Sequence, residues 1–193
     1  MLPDVADERM AAIQWGVVIG ASLVAAVADV RIRRIPNAVT FPLLAGGLVR
    51  AIWIGALPAL ADAIVGCVLL ALPYVLLFLF AHGGAGDAKL MAAIGAWLGV
   101  AQGLIVLFYV AIAGMVLALV KAIAQKRFKR TLINTFILFY NFLVSMVSYL
   151  MGFRTKQYAA QQAGPDPSSD SGIPYGVAIF TGVCVAGGFL WIW

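Results

Sequence analysis

The stretch Gly83-Gly84-Ala85-Gly86-Asp87-Ala88-Lys89 is a glycine-rich turn carrying a single acid between two long apolar runs. A carboxylate at the edge of an apolar run is expensive to desolvate, so an ionisable residue there is a functional-site hypothesis by default. Upstream, Asp29-Val30-Arg31-Ile32-Arg33-Arg34-Ile35-Pro36-Asn37 supplies a second acid. Between Asp29 and Asp87 lie two apolar runs, each long enough to cross a bilayer. One crossing out and one back returns the chain to the side it left, so both acids can reach the same membrane face.

The composition outside these two stretches agrees. Of 193 residues, 64% are hydrophobic and 11% charged, which excludes an ordinary soluble domain. Apolar runs recur near 11–28, 38–57, 59–81, 90–120 and 174–193. A spanning helix needs about 20 apolar residues, so the fourth run is long enough for two crossings broken near Gly99 to Gly103. The expectation is an all-α, polytopic membrane helix bundle of six transmembrane helices, a single domain over 1–193. Cys67 and Cys184 sit inside apolar runs without Cys-x-x-Cys spacing, and His82 is the sole histidine, a set from which no zinc or cluster site can be built. No metal and no cofactor are expected. The net charge of +5 comes from basic residues in short loops, which positive-inside topology explains without a nucleic-acid partner.

Taken from the start, the chain carries Asp4, Asp7 and Glu8 against Arg9, and Ala26-Val27-Ala28 imitates a signal-peptidase site. A secretory signal wants a positive start, so span 1 is expected to be retained with the N-terminus outside. Arg31, Arg33 and Arg34 then fix the Asp29 loop on the cytoplasmic side. Pro36 and Asn37 punctuate the entry to span 2, with Asn37 suited to cap its first turn. Arg50 is expected to snorkel to the outer headgroups, and Asp62, after Pro58, to sit in the first turn of span 3 on its macrodipole. Gly84 and Gly86 permit close backbone approach, presenting Asp87 at the opening of span 4. Lys89 either anchors that helix at the interface or holds Asp87 ionised. His82 reads as a loop residue.

Lys121, Lys126, Arg127, Lys129 and Arg130 form the densest basic cluster and are expected in the cytoplasm. In 131–150, Thr131, Asn134, Thr135, Asn141, Ser145 and Ser148 fall on one helical arc with Leu138 as the exception, and Arg154 and Lys156 follow. That pattern favours a cytoplasmic-side interfacial amphipathic helix, or one packed polar face inward, over a seventh span. Residues 155–172, rich in Gly, Pro, Ser and Gln, read as a flexible loop. Ile173-Pro174-Tyr175-Gly176 opens the last span, and Trp191 and Trp193 suit the outer aromatic belt.

With these residues in view, the chain resembles the type IV prepilin peptidases, specifically the short form that serves Tad-type (Flp) pili. The carriers are Asp29 with the Arg-rich Ile35-Pro36-Asn37, Gly84-Ala85-Gly86-Asp87 as an instance of the family's Gly-x-Gly-Asp motif, Lys89, and Pro174-Tyr175-Gly176-Val177-Ala178. Gly-x-Gly-Asp alone is weak; the set in this order is specific. The resemblance implies an aspartic membrane protease of the bacterial inner membrane with Asp29 and Asp87 as catalytic pair. It would cleave the short leader of prepilins and pseudopilins after a glycine at the cytoplasmic face, with the pilus assembly machinery as a further partner beside the lipid bilayer. Gly84, Gly86, Lys89, Pro36, Asn37, Pro174 and Gly176 are candidates for substrate binding or support. Whether the Pro174 to Val177 turn orients substrate or only starts the span stays open at this point. The long members carry an N-terminal domain with paired Cys-x-x-Cys that goes with N-methylation; this chain lacks one and is expected to be peptidase-only.

The chemistry stands beside the resemblance. Two neighbouring carboxylates cannot both ionise comfortably, so they share a proton; one acts as base on a water, the other as acid on the scissile carbonyl. The competing class is an ion- or proton-coupled transporter subunit using Asp29 and Asp87. Pathway acids usually lie mid-span, whereas these sit at boundaries beside cations. A scaffold for a secretion complex would leave the paired acids unexplained.

Overall fold

The computed structural model describes residues 5–81, 84–124, 144 and 175–192. The expected interfacial helix at 131–150, save residue 144, and the loop at 155–172 lie outside them, as do His82, Pro174, Trp193 and the basic residues 126–130. Every element among the described residues is α-helical: α1 (Val5–Ile32), α2 (Asn37–Ala81), α3 (Ala85–Ala124) and α4 (Tyr175–Ile192).

Helix α1 stops where Arg33 adopts φ 50 and its N–H donates to the Asp29 carbonyl at 2.9 Å, a left-handed cap that closes the last turn. Proline then restricts Ile35 and restarts the chain. The Pro36 carbonyl accepts the Val39 N–H at 3.0 Å, so α2 is opened by the proline's backbone. Asn37 does not cap with its side chain as expected; its Oδ1 is taken by Lys89 Nζ at 3.1 Å.

Both long helices are folded back on themselves. Gly46 and Gly47, in the first part of α2, and Gly66, in the second, all pack on the 95–99 stretch of α3. A straight helix would hold Gly46 and Gly66 about 30 Å apart at 1.5 Å per residue. The bend lies around Gly55, where an added Cβ would come within 2.5 Å of the Ala59 Cβ, next to Pro58. In α3 the expected break falls at Gly99, with φ 68 and ψ −164, a region open essentially to glycine alone. Close approach of the two hairpins needs glycine too: a Cβ on Gly66 would lie 2.6 Å from the Gly99 carbonyl carbon.

The two charges at the bends differ from expectation. Arg50 does not snorkel outward: it turns into the bundle, where Nη1 donates to the Trp97 carbonyl at 3.2 Å and Nη2 to Gln14 Oε1. The backbone freed by the Gly99 break and the buried Gln14 amide offer it two acceptors inside the bundle. Asp62 is not in the first turn after the bend, being the sixth residue of the Leu57–Leu79 segment; its Oδ1 accepts the Val100 N–H at 3.3 Å, covering an amide that the break releases.

Helix α4 seals the bundle against α1 and the second half of α3. Gly176 meets Ala26 and Asp29, Gly187 meets Trp15, and Gly182 meets Val110, so α4 runs antiparallel to both. Leu70, Leu90, Met91, Ile94, Val106, Val110, Ile179 and Val183 are buried between the helices. Outside, Trp53, Leu57, Leu79, Phe108 and Met115 are exposed, the largest at 88%. Four helices, Arg9–Ile32, Asn37–Gly55, Leu57–Leu79 and Ala85–Val120, are long and apolar enough to cross a membrane, and no more than 33% of any such window is buried inside the protein. An apolar exterior of that extent suits a hydrocarbon solvent, and helices satisfy their own backbone within it.

Candidate active site

The turns of the backbone gather one end of the bundle from four segments: the last turn of α1, the start of α2, the first turn of α3 and the first turn of α4. Asp29 arrives on α1, half buried. Its Oδ2 accepts the Gly176 N–H at 2.7 Å, so the second residue of α4 gives one of its unpaired helix-start donors to an acid far away in sequence. A Cβ on Gly176 would sit 2.9 Å from the Asp29 Cβ and 3.1 Å from Oδ2; this close approach is what the glycine supplies.

Asp87 sits in the first turn of α3, also half buried. Its Oδ2 lies 2.7 Å from where a Gly84 Cβ would stand, and a Gly86 Cβ would press at 3.1 Å on Ile35, which follows the arginines of the α1 loop. Both glycines of the motif therefore clear space, one for the carboxylate and one for the neighbouring segment. Asp29 and Asp87 are near enough for the charge of one to act on the other. The Asp87 charge also reaches Tyr74 and Tyr175, whose rings meet edge to face with centroids 6.0 Å apart.

Lys89 donates to Asn37 Oδ1 and lies over the Phe41 ring at 5.6 Å. These contacts tie α3 to the start of α2. Pro36 and Asn37 thus belong to the same end of the bundle as the acids, through backbone and Lys89 respectively. Among the described residues no three of His, Cys, Asp and Glu cluster as metal ligands.

Sequence reasoning passed over Tyr74. The signal was present in its phenol, whose polar tip seeks a partner when buried, set in an otherwise apolar run and only 7% exposed. It also passed over Gln14 and Gln102, two amides in apolar stretches at the other end, where Gln14 meets both Arg50 and Gln102.

Helices of this length and apolarity, with an apolar exterior and a polar site at one end, make this an integral membrane protein. The model of the type IV leader peptidase family matches residues 16–119, more than half of the chain and including both acids, and the chain belongs to that family. It is thereby a protease of the leader-peptidase type. No curated protein and no solved structure matched the chain.

Proposed function

We propose that this protein is an aspartic endopeptidase that removes the short N-terminal leader of type IV or Flp prepilins and pseudopilins at the cytoplasmic face of the bacterial inner membrane, with Asp29 and Asp87 as its catalytic pair. What supports the reading is that these two acids, from α1 and α3, lie at the same end of an apolar bundle. One carboxylate serves as base on a water, the other as acid on the carbonyl oxygen, and neither step asks for a metal. The Gly176 amide restrains Asp29 from rotating, which supports its use as a fixed partner.

The cytoplasmic assignment rests on Arg31, Arg33 and Arg34 beside Asp29. Six crossings follow if Ala85–Val120 counts as two passes reversed at Gly99 and the shorter apolar stretch of α4, Tyr175–Leu190, counts as one. Beside Asp29, between α1 and α4, lies an apolar cleft of about 210 Å³ lined by Ala26, Val27, Val30, Arg31, Val177 and Phe180. The apolar helix that follows a prepilin leader would lie against such a wall, with the basic leader left at the cytoplasmic mouth. The reading is peptidase-only, without N-methylation.

The test is cleavage of a prepilin by the purified protein, followed by mass spectrometry of the new amino terminus. Release of the leader after its glycine is the expected result, and none should follow with Asp29→Asn or Asp87→Asn. Undiminished cleavage by either variant would overturn the pair.

A further inference from the structure

At the end of the bundle away from Asp29 and Asp87, a second polar site is built where the two hairpins bend. Gln14 precedes Asp29 by fifteen residues on α1, about 22 Å along a helix, so the two sites lie near opposite membrane faces. A cavity of about 300 Å³ opens there between α1, α2 and α3, with Gln14, Arg50, Asp62, Trp97, Gly99 and Gln102 among its walls. Gln14 is 8% exposed and fully used: Nε2 donates to the Trp97 carbonyl at 2.9 Å and to Gln102 Oε1 at 3.1 Å, and Oε1 accepts from Arg50.

Arg50 is half buried, yet its partners are neutral: a carbonyl, an amide oxygen and the face of Trp97 at 5.8 Å. Among the described residues no carboxylate pairs with it. A desolvated cation without a counter-charge is costly, and a guanidinium offers five donors, of which neutral groups here take two. Asp62 lines the same cavity, exposed, with Oδ1 on the Val100 amide. The cavity thus holds one cation and one anion on its walls without an ion pair between them.

Both residues lie five positions inside the ends of their apolar spans, Asn37–Gly55 and Leu57–Leu79, about 8 Å along the helix axis from the span ends that mark the edge of the hydrocarbon. Ile54, at the cavity wall, and the neighbouring Trp53 and Leu57 are exposed apolar surface.

We propose that this cavity binds the headgroup of a zwitterionic aminophospholipid, its phosphate on Arg50 and its primary ammonium on Asp62, with the acyl chains running down the apolar surface beside Ile54. The volume matches a headgroup rather than a whole lipid, being at the lower limit for ligand pockets. The charges select for the zwitterion, since a purely anionic headgroup would meet Asp62. A choline headgroup would find no hydrogen-bond acceptance to exploit, because its quaternary nitrogen donates nothing, and the Trp97 face that could hold it is covered by Arg50.

The experiment compares the detergent-purified protein with its Asp62→Asn and Arg50→Gln variants. Native mass spectrometry reads the binding of phosphatidylethanolamine, phosphatidylcholine and phosphatidylglycerol with identical chains, and soluble phosphoethanolamine is added as competitor. Asparagine keeps an oxygen for the Val100 amide, so Asp62→Asn removes the charge and preserves the bend. The wild type should bind the ethanolamine lipid about tenfold more tightly than either other lipid, the size of one charge-assisted hydrogen bond. Asp62→Asn should erase the preference over choline, and Arg50→Gln should weaken all three. Equal binding of the three lipids by the wild type, a preference undiminished in Asp62→Asn, or displacement of the lipid by an equal concentration of soluble phosphoethanolamine would each overturn the proposal. The readout is lipid retention, so it stands or falls apart from the peptidase reading.

Discussion

Asp29 and Gly176 show how narrowly a single residue can be constrained. The amide reaches Oδ2 at 2.7 Å only because no side chain stands between them. Gly176→Ala puts a methyl group against the acid, and a displacement of this kind at a reacting group costs about ten- to a hundredfold in rate. The expected loss is in kcat rather than KM, checked by steady-state cleavage kinetics with the variant's helicity confirmed by circular dichroism. Removing either acid should cost at least about a hundredfold, the range of general acid–base work. The pair also has a signature in pH. A pair that divides the roles of base and acid works with one proton between its two carboxylates, so kcat/KM should fall on both sides of a maximum. A profile flat across that range would exclude a shared proton. Lys89→Ala, which breaks a hydrogen bond to Asn37 at the protein surface, should lower activity severalfold at most.

At the scale of the helices, the bend at Gly99 organises both ends of the protein. It turns α3 back, frees the Val100 amide for Asp62 and exposes the Trp97 carbonyl that Arg50 and Gln14 share. With φ 68 and ψ −164, Gly99→Ala would hold an L-residue in a region it avoids, at a cost of about 1–3 kcal/mol, and would press on Asp62 besides. A lowered midpoint of thermal unfolding in detergent is the expected result. On the other side of the bundle, filling the cleft between α1 and α4 with Val27→Trp should raise KM for prepilin while leaving the acids in place. An unchanged KM would separate that cleft from substrate binding.

For the molecule as a whole, the two polar ends belong to opposite faces. Introduced cysteines beside Arg34 and at position 156 should react with impermeant reagent only from the cytoplasm, and one beside Leu57 only from outside. Labelling of position 156 from outside would instead make 131–150 a seventh span. Asp62→Asn, far from the acids, should retain most peptidase activity; a folded but inactive variant would mean that the two ends are not separated as the helix register requires.

Much of this was legible in the chain alone. The length and recurrence of apolar runs determined a helical membrane protein, because hydrocarbon tolerates only a backbone that bonds to itself. The position of Asp29 and Asp87 at the edges of apolar runs marked them as the acids to watch, since desolvating charge is expensive unless it is used. The placement of the break in the fourth run followed from glycines alone. What the tertiary structure decided was which group each polar side chain meets. Arg50 turned inward, Asp62 closed a helix break, Asn37 took Lys89 in place of its own helix start, and Gly176 held Asp29 across the bundle. Each of these depends on where two distant helices come into register, and hydropathy carries no information about register: in an apolar helix every face reads alike until a neighbour presents a donor or an acceptor.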